Sequence, residues 1–132
     1  MKKSINDLVK EIHEANVTAG WWNDTKTGEG LLKESFEPLE SKVLNWAKDK
    51  GILDKATPMT QALKTLEEVN ELLLAINSNN KGEIEDALGD ILVTIIIGAE
   101  LNGLKLTDCL QSAYLEIKDR KGKMINGTFV KE

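Results

Sequence analysis

Apolar residues return at three- and four-residue intervals along most of this chain, and the breaks between those runs mark out its elements. Ser4 and Asp7 can start a first helix whose buried stripe would be Ile5, Leu8, Val9 and Ile12, fading near Asn16. From Thr18 to Glu37 the periodicity disappears, and Gly20, Gly28 and Gly30 with Asn23, Asp24 and Thr27 predict a long loop. Pro38 sits near the start of a second helix with an apolar face of Leu39, Val43, Leu44, Trp46 and Ala47, ended by Gly51. Thr57 is an N-cap with proline at the next position, so a third helix begins there and runs to about Ile76 on the stripe Ala62, Leu66, Val69, Leu73 and Ile76. A polar turn follows, Asn77 to Gly82.

The segment from Glu83 to Leu101 contains Ile91-Leu92-Val93-Thr94-Ile95-Ile96-Ile97, which by β-branched content alone could be a buried strand. Its length and flanking acids favour a helix, apolar all round and therefore buried. Asn102-Gly103 closes it, and Thr107 opens a last helix on Leu110, Ala113, Tyr114 and Ile117. The pattern predicts an all-α fold, an antiparallel helical bundle with short links, forming one domain over residues 1–132.

The chemistry concentrates on the third and fourth helices. Gln61, Lys64, Glu67, Glu68 and Glu71 stand at one-turn spacing on the third; Glu83, Asp86 and Asp90 do so on the fourth. Two such columns facing each other would form a cage for hard cations, although Lys64, Glu68 and Glu71 lie nearly opposite the apolar stripe, where an ordinary solvated face would also lie. The Asp86 and Asp90 face continues into Val93, Thr94 and Ile97, which places these acids at the edge of the core, where charge is costly unless paired or metal-bound. His13 is the only histidine and no Glu-x-x-His pair occurs, so oxygen-only ligation points to magnesium or manganese rather than zinc or di-iron.

A formal charge of -5 argues against binding a nucleic-acid polymer, while still allowing a nucleotide whose charge is met by cations. Met1-Lys2-Lys3 is followed by polar residues rather than a secretory signal, and the run from Ile91 to Ala99 is too short to span a bilayer. Cys109 is the only cysteine, which rules out an internal disulfide and fits a cytoplasmic location; it reads as an apolar filler.

Taken in order, Glu67-Glu68-Val69-Asn70-Glu71, then Glu85-Asp86-Ala87-Leu88-Gly89-Asp90, resemble the MazG-like nucleoside triphosphate pyrophosphohydrolases of the all-α superfamily, phage and bacterial type. The flanks Trp46, Gly51-Ile52, Gln61 and Lys64 and the tail Ile117 to Met124 with Asn126-Gly127 agree, so the likeness runs over roughly Trp21 to Lys131. Ala87 departs from the family pattern, which has a glutamate there. Asp86, one place earlier, or Glu83 stands as the substitute third ligand.

The resemblance implies magnesium-dependent (or manganese-dependent) hydrolysis of a nucleoside triphosphate, a deoxynucleotide first among them, to the monophosphate and pyrophosphate by water attack at the α-phosphorus. On that reading Glu68, Glu71, Asp86 and Asp90 ligate metal and Glu67 orients or deprotonates the water, with Glu83 in reserve. Gln61 and Lys64 contact phosphate or hold the glutamates in place. Lys118 and Lys121, one turn apart in a basic cluster that would otherwise only decorate a helix end, reach the triphosphate. Trp22, of the pair Trp21-Trp22, either anchors the loop or stacks on the base, with Asp24 as a hydrogen-bond acceptor. A homo-oligomer, dimer or tetramer, is implied through the apolar helices. Two other classes fit the same residues: a non-catalytic helical interaction module, and a related metal-dependent phosphohydrolase of the phosphoribosyl-ATP type.

Overall fold

The computed structural model describes residues 4–8, 10 and 34–132. These fall into two units, Met1–Ser35 and Phe36–Glu132. In the first, residues 5–8 are helical and the Ser4 hydroxyl accepts from the Asp7 N–H at 3.1 Å, the expected start signal. Trp22, Asp24 and His13 lie outside the described residues.

The second unit runs α1 (Phe36–Asp49), α2 (Ile52–Lys55), α3 (Pro58–Asn77), α4 (Lys81–Leu101), α5 (Leu106–Ile117), then strands β1 (Gly122–Ile125) and β2 (Thr128–Lys131). The all-α expectation holds for the body of the chain, and the segment that could have been a strand is one helix of 21 residues. Local chemistry sets the boundaries. Gly51 takes the left-handed conformation, φ 77°, between α1 and α2. Thr57 and Thr60 cap α3 reciprocally: each side-chain oxygen accepts the other's backbone N–H, at 3.1 and 2.9 Å. Asn80 caps α4 by accepting from the Glu83 N–H at 3.1 Å.

Helix α5 has no cap of its own at Lys105, and a distant residue supplies one. Glu40 of α1, fully buried, accepts from the Thr107 N–H and the Thr107 hydroxyl, both at 2.9 Å. Lys105 adds an ion pair to Glu37 at 3.3 Å, and Glu37, by hydrogen bond and then by charge, raises the Lys105 pKa. The start of α5 is therefore tied to α1, while the chain between α4 and α5 turns through 101°.

The antiparallel pair α3 and α4 is the spine, with α1 lying across α4. Among the described residues the buried apolar ones are few and mostly small: Ala47, Ala75, Ala87, Ile96 and Ile97. The expected burial pattern of α3 is corrected here. Its face toward α4 is Gln61, Thr65, Glu68, Leu72 and Ala75, and the stripe named from the sequence looks outward, with Leu66, Leu73 and Ile76 65, 61 and 54% exposed. At 3.6 residues per turn the two faces stand about 100° apart. The stripe of α5 is also open, with Leu110, Tyr114 and Ile117 exposed.

The strands were not expected. Asn126-Gly127, read from the sequence as a turn, joins them with φ 50° and 80°, the left-handed pair that a two-residue hairpin requires. Every residue of both strands is exposed, and among the described residues 36–132 the hairpin packs on no helix. No single described helix is long and apolar enough to cross a membrane.

Candidate functional site

A buried polar seam fixes how α3 and α4 meet. The Thr94 hydroxyl donates to the Ile91 carbonyl at 2.7 Å and accepts from the Thr65 hydroxyl at 2.9 Å. The Gln61 amide nitrogen donates to the Thr94 carbonyl at 3.2 Å. Breaking one partner would leave a desolvated polar atom, so the seam holds the helices in one register. Glu68 lies one turn beyond Thr65, and Asp90 one turn before Thr94, so the lock on the helices is also a lock on the acids.

Beyond the seam the two helices diverge around a cleft of about 340 Å³ lined by Glu68, Glu71, Glu83, Asp86 and Asp90 together with Leu74, Ala75, Ser78 and Ala87. The two acidic columns thus share one cleft, and among the described residues no lysine or arginine lines it. Ala87, at the family's glutamate position, is buried in its floor. Asp86 and Glu83 both stand on the wall, so both remain as third ligand.

Three expectations change. Asp86 and Asp90 are exposed to solvent, not half-buried, so desolvation does not by itself compel a cation; only Glu68, with its side chain 15% exposed, is substantially covered. Among the described residues no three acids are gathered closely enough to share one ion: they line the cleft without converging on a point. Glu67 is turned away, its side chain 62% exposed and 3.3 Å from Lys64, while Glu83, the reserve, is on the wall.

The remaining candidates divide. Gln61 is buried and committed to Thr94, so it holds the helix that carries the glutamates instead of meeting solvent. Lys64 stands 3.5 Å from Glu68 as well as near Glu67, and these acids, Glu67 first by hydrogen bond and charge, raise its pKa. Lys118 and Lys121 do not line the cleft of their own chain. Thr65, Leu74 and Ser78 were missed, although spacing could have found them: 61, 65 and 68, then 71, 74, 75 and 78, are successive turns of single helix faces.

The donors fit a hard divalent cation, since among the described residues the wall offers carboxylate oxygens and no histidine or thiol.

Residues 56–125 match the family described as the MazG nucleotide pyrophosphohydrolase domain. The chain is also 31% identical over 67 residues to an "uncharacterized 18.2 kDa protein in rep-hol intergenic region" of Haemophilus phage HP1, a stretch covering 51% of this chain and 41% of that one. It therefore spans less than half the length of the curated relative it matches. No solved structure gave a match. The matched span contains α3, the acidic cleft, α4 and all of α5, and it accounts for more than half of the sequence: the chain belongs to the MazG nucleotide pyrophosphohydrolase domain family.

Proposed function

We propose that residues 1–132 form one MazG-type domain that acts in the cytoplasm and hydrolyses a nucleoside triphosphate, deoxynucleotides foremost, to the monophosphate and pyrophosphate by water attack at the α-phosphorus. The observation that carries this reading is the single cleft walled by carboxylates from two helices inside the family's span. Such a wall repels a triphosphate unless cations stand between them. Glu68, Glu71, Asp86 and Asp90 would hold magnesium, or manganese. When bound, the ion supplies positive charge against the phosphate oxygens and the departing pyrophosphate.

The chain's own contributions follow from placement. Glu83 takes over from Glu67 as the acid that orients the attacking water and accepts its proton, because it stands on the cleft wall and Glu67 does not. Lys64 keeps Glu68 directed along the helix. Gln61, Thr65 and Thr94 hold the two walls at a fixed separation. The outward apolar face of α3, with Leu63, Leu66 and Leu73 exposed together, supports a homo-oligomer, dimer or tetramer, since contiguous patches of this kind mark interaction surfaces.

The test is product analysis. Nucleoside triphosphates incubated with magnesium in isotopically labelled water should give pyrophosphate and a monophosphate that carries the label. Label in the pyrophosphate would move the attack to the β-phosphorus. No turnover with any triphosphate would overturn the reading in favour of a non-catalytic module.

A further inference from the structure

The dipeptide Asn-Gly occurs twice in the chain, at Asn102-Gly103 and Asn126-Gly127, and the fold holds the two copies differently. In this dipeptide the side-chain amide carbon of asparagine lies within reach of the next main-chain nitrogen, and glycine has no Cβ to hinder the approach. Both asparagines are exposed, so solvent access does not separate them. Hydrogen bonding does. The Asn102 Nδ2 donates to the Gly98 carbonyl at 2.7 Å, and the Gly103 N–H donates to the Glu100 carbonyl at 3.0 Å, so both reacting groups are engaged. At the hairpin tip neither is: among the described residues the Asn126 side chain and the Gly127 N–H have no hydrogen-bond partner.

The cost of freeing the backbone differs as well. Asn126 and Gly127 stand at φ 50° and 80° in a tight turn, and attack on the side-chain carbon needs a more extended backbone, reached when the hairpin opens. Two strands alone are marginal in water, and these are exposed throughout and pack on no helix of residues 36–132. They open locally with little else disturbed. Opening at Asn102 means fraying a helix of 21 residues at the cap whose N–H meets carbonyls of its last turn.

We propose that Asn126 is a site of spontaneous covalent modification and that Asn102, in the same dipeptide, is protected. The Gly127 nitrogen gives its proton to water or hydroxide and bonds to Asn126 Cγ, the Cγ–Nδ2 bond breaks, and ammonia leaves a five-membered succinimide. Water then opens the ring at either carbonyl. Cleavage at Cγ leaves an aspartyl residue, and cleavage at the main-chain carbonyl leaves an isoaspartyl linkage; one water enters, one ammonia departs, and nothing is oxidised or reduced. Either product adds a carboxylate to a segment, residues 118–132, that carries Lys118, Arg120, Lys121, Lys123 and Lys131 against Asp119 and Glu132. The two products differ in their effect on the fold. An aspartyl residue tolerates the left-handed conformation and keeps the turn. The isoaspartyl linkage inserts a methylene into the main chain of a two-residue turn, which removes the pairing of Ile125 with Thr128 and the register beyond it.

The full-length chain, kept for weeks in neutral buffer with and without denaturant, supplies the test by peptide mapping. In the native chain position 126 should acquire the mass shift of an amide nitrogen replaced by oxygen, in aspartyl and isoaspartyl forms, while position 102 stays unchanged. In denaturant both positions should convert at comparable rates. A native chain that keeps Asn126 intact, or converts Asn102 as fast, would overturn the proposal. So would unequal rates in denaturant, which would trace the difference to neighbouring sequence instead of the fold. Hydrogen exchange reads the consequence: the isoaspartyl fraction should lose protection over Gly122–Ile125 and Thr128–Lys131, and an Asn126→Asp chain should retain it. Equal protection in the two would show that the turn survives the added methylene and would refute the effect on the hairpin.

Discussion

The two sides of α3 are put to uses opposite to their polarity. The side carrying Gln61, Thr65 and Glu68 is turned inward against α4, while the side carrying Leu63, Leu66, Leu73 and Ile76 is open. Helix α4 takes the polar side of α3 to form the cleft, and the proposed homo-oligomer would use the open apolar side. On that proposal the hydrophobic pattern of α3 would describe an assembly more than the lone protomer.

The largest expected effect falls on the polar side. Glu71→Ala or Asp90→Ala should reduce pyrophosphate release to background while leaving the helical circular dichroism intact, because both side chains are exposed and support no packing. Turnover surviving both changes would detach the cleft from the chemistry. On the apolar side, Leu66→Glu with Leu73→Glu should bring the mass by light scattering down to that of one chain, 14.6 kDa, and lower the melting temperature. A wild type that is already a monomer, or a double variant that still associates, would show that this surface is not the interface.

Smaller effects test the lock between the sides. Thr94→Val should cost about 0.5–1.5 kcal/mol in chemical denaturation, since the Thr65 hydroxyl loses one part-buried acceptor and keeps the Gln61 carbonyl at 3.2 Å. It should depress turnover beyond what the stability loss accounts for if the register positions the acids. The slightest change should come from Gly89→Ala: a Cβ there meets no heavy atom within 4 Å, so helix propensity alone should stabilise the chain by about 0.5–1 kcal/mol. A loss of stability there would reveal a neighbour that the single chain does not contain.

Much of this could be read in the residues. The capping pair Thr57 and Thr60 with Pro58, the turn before Glu83, and the acidic spacing placed the helices and brought five acids to one cleft. What escaped has physical causes. The apolar stripe of α3 predicted the buried face, but α4 packs about 100° away on the side of Gln61, Thr65 and Glu68, and Asp86 and Asp90 are exposed. The hairpin was legible in principle, because Asn126-Gly127 lies between Met124-Ile125 and Thr128-Phe129-Val130, but short exposed strands give a weak signal beside a long helix. The Glu40 cap on α5 joins residues 67 positions apart, and no local pattern announces it.

The proposal that acids of α3 and α4 act on one cation together is tested directly by the melting temperature in saturating magnesium or manganese. The wild type should gain stability on adding the ion. Glu71→Gln and Asp90→Asn should each remove about as much of that gain as the two combined, because either change disables the same site. An unchanged melting temperature in the wild type, or losses that simply add, would mean that the two walls do not hold an ion between them.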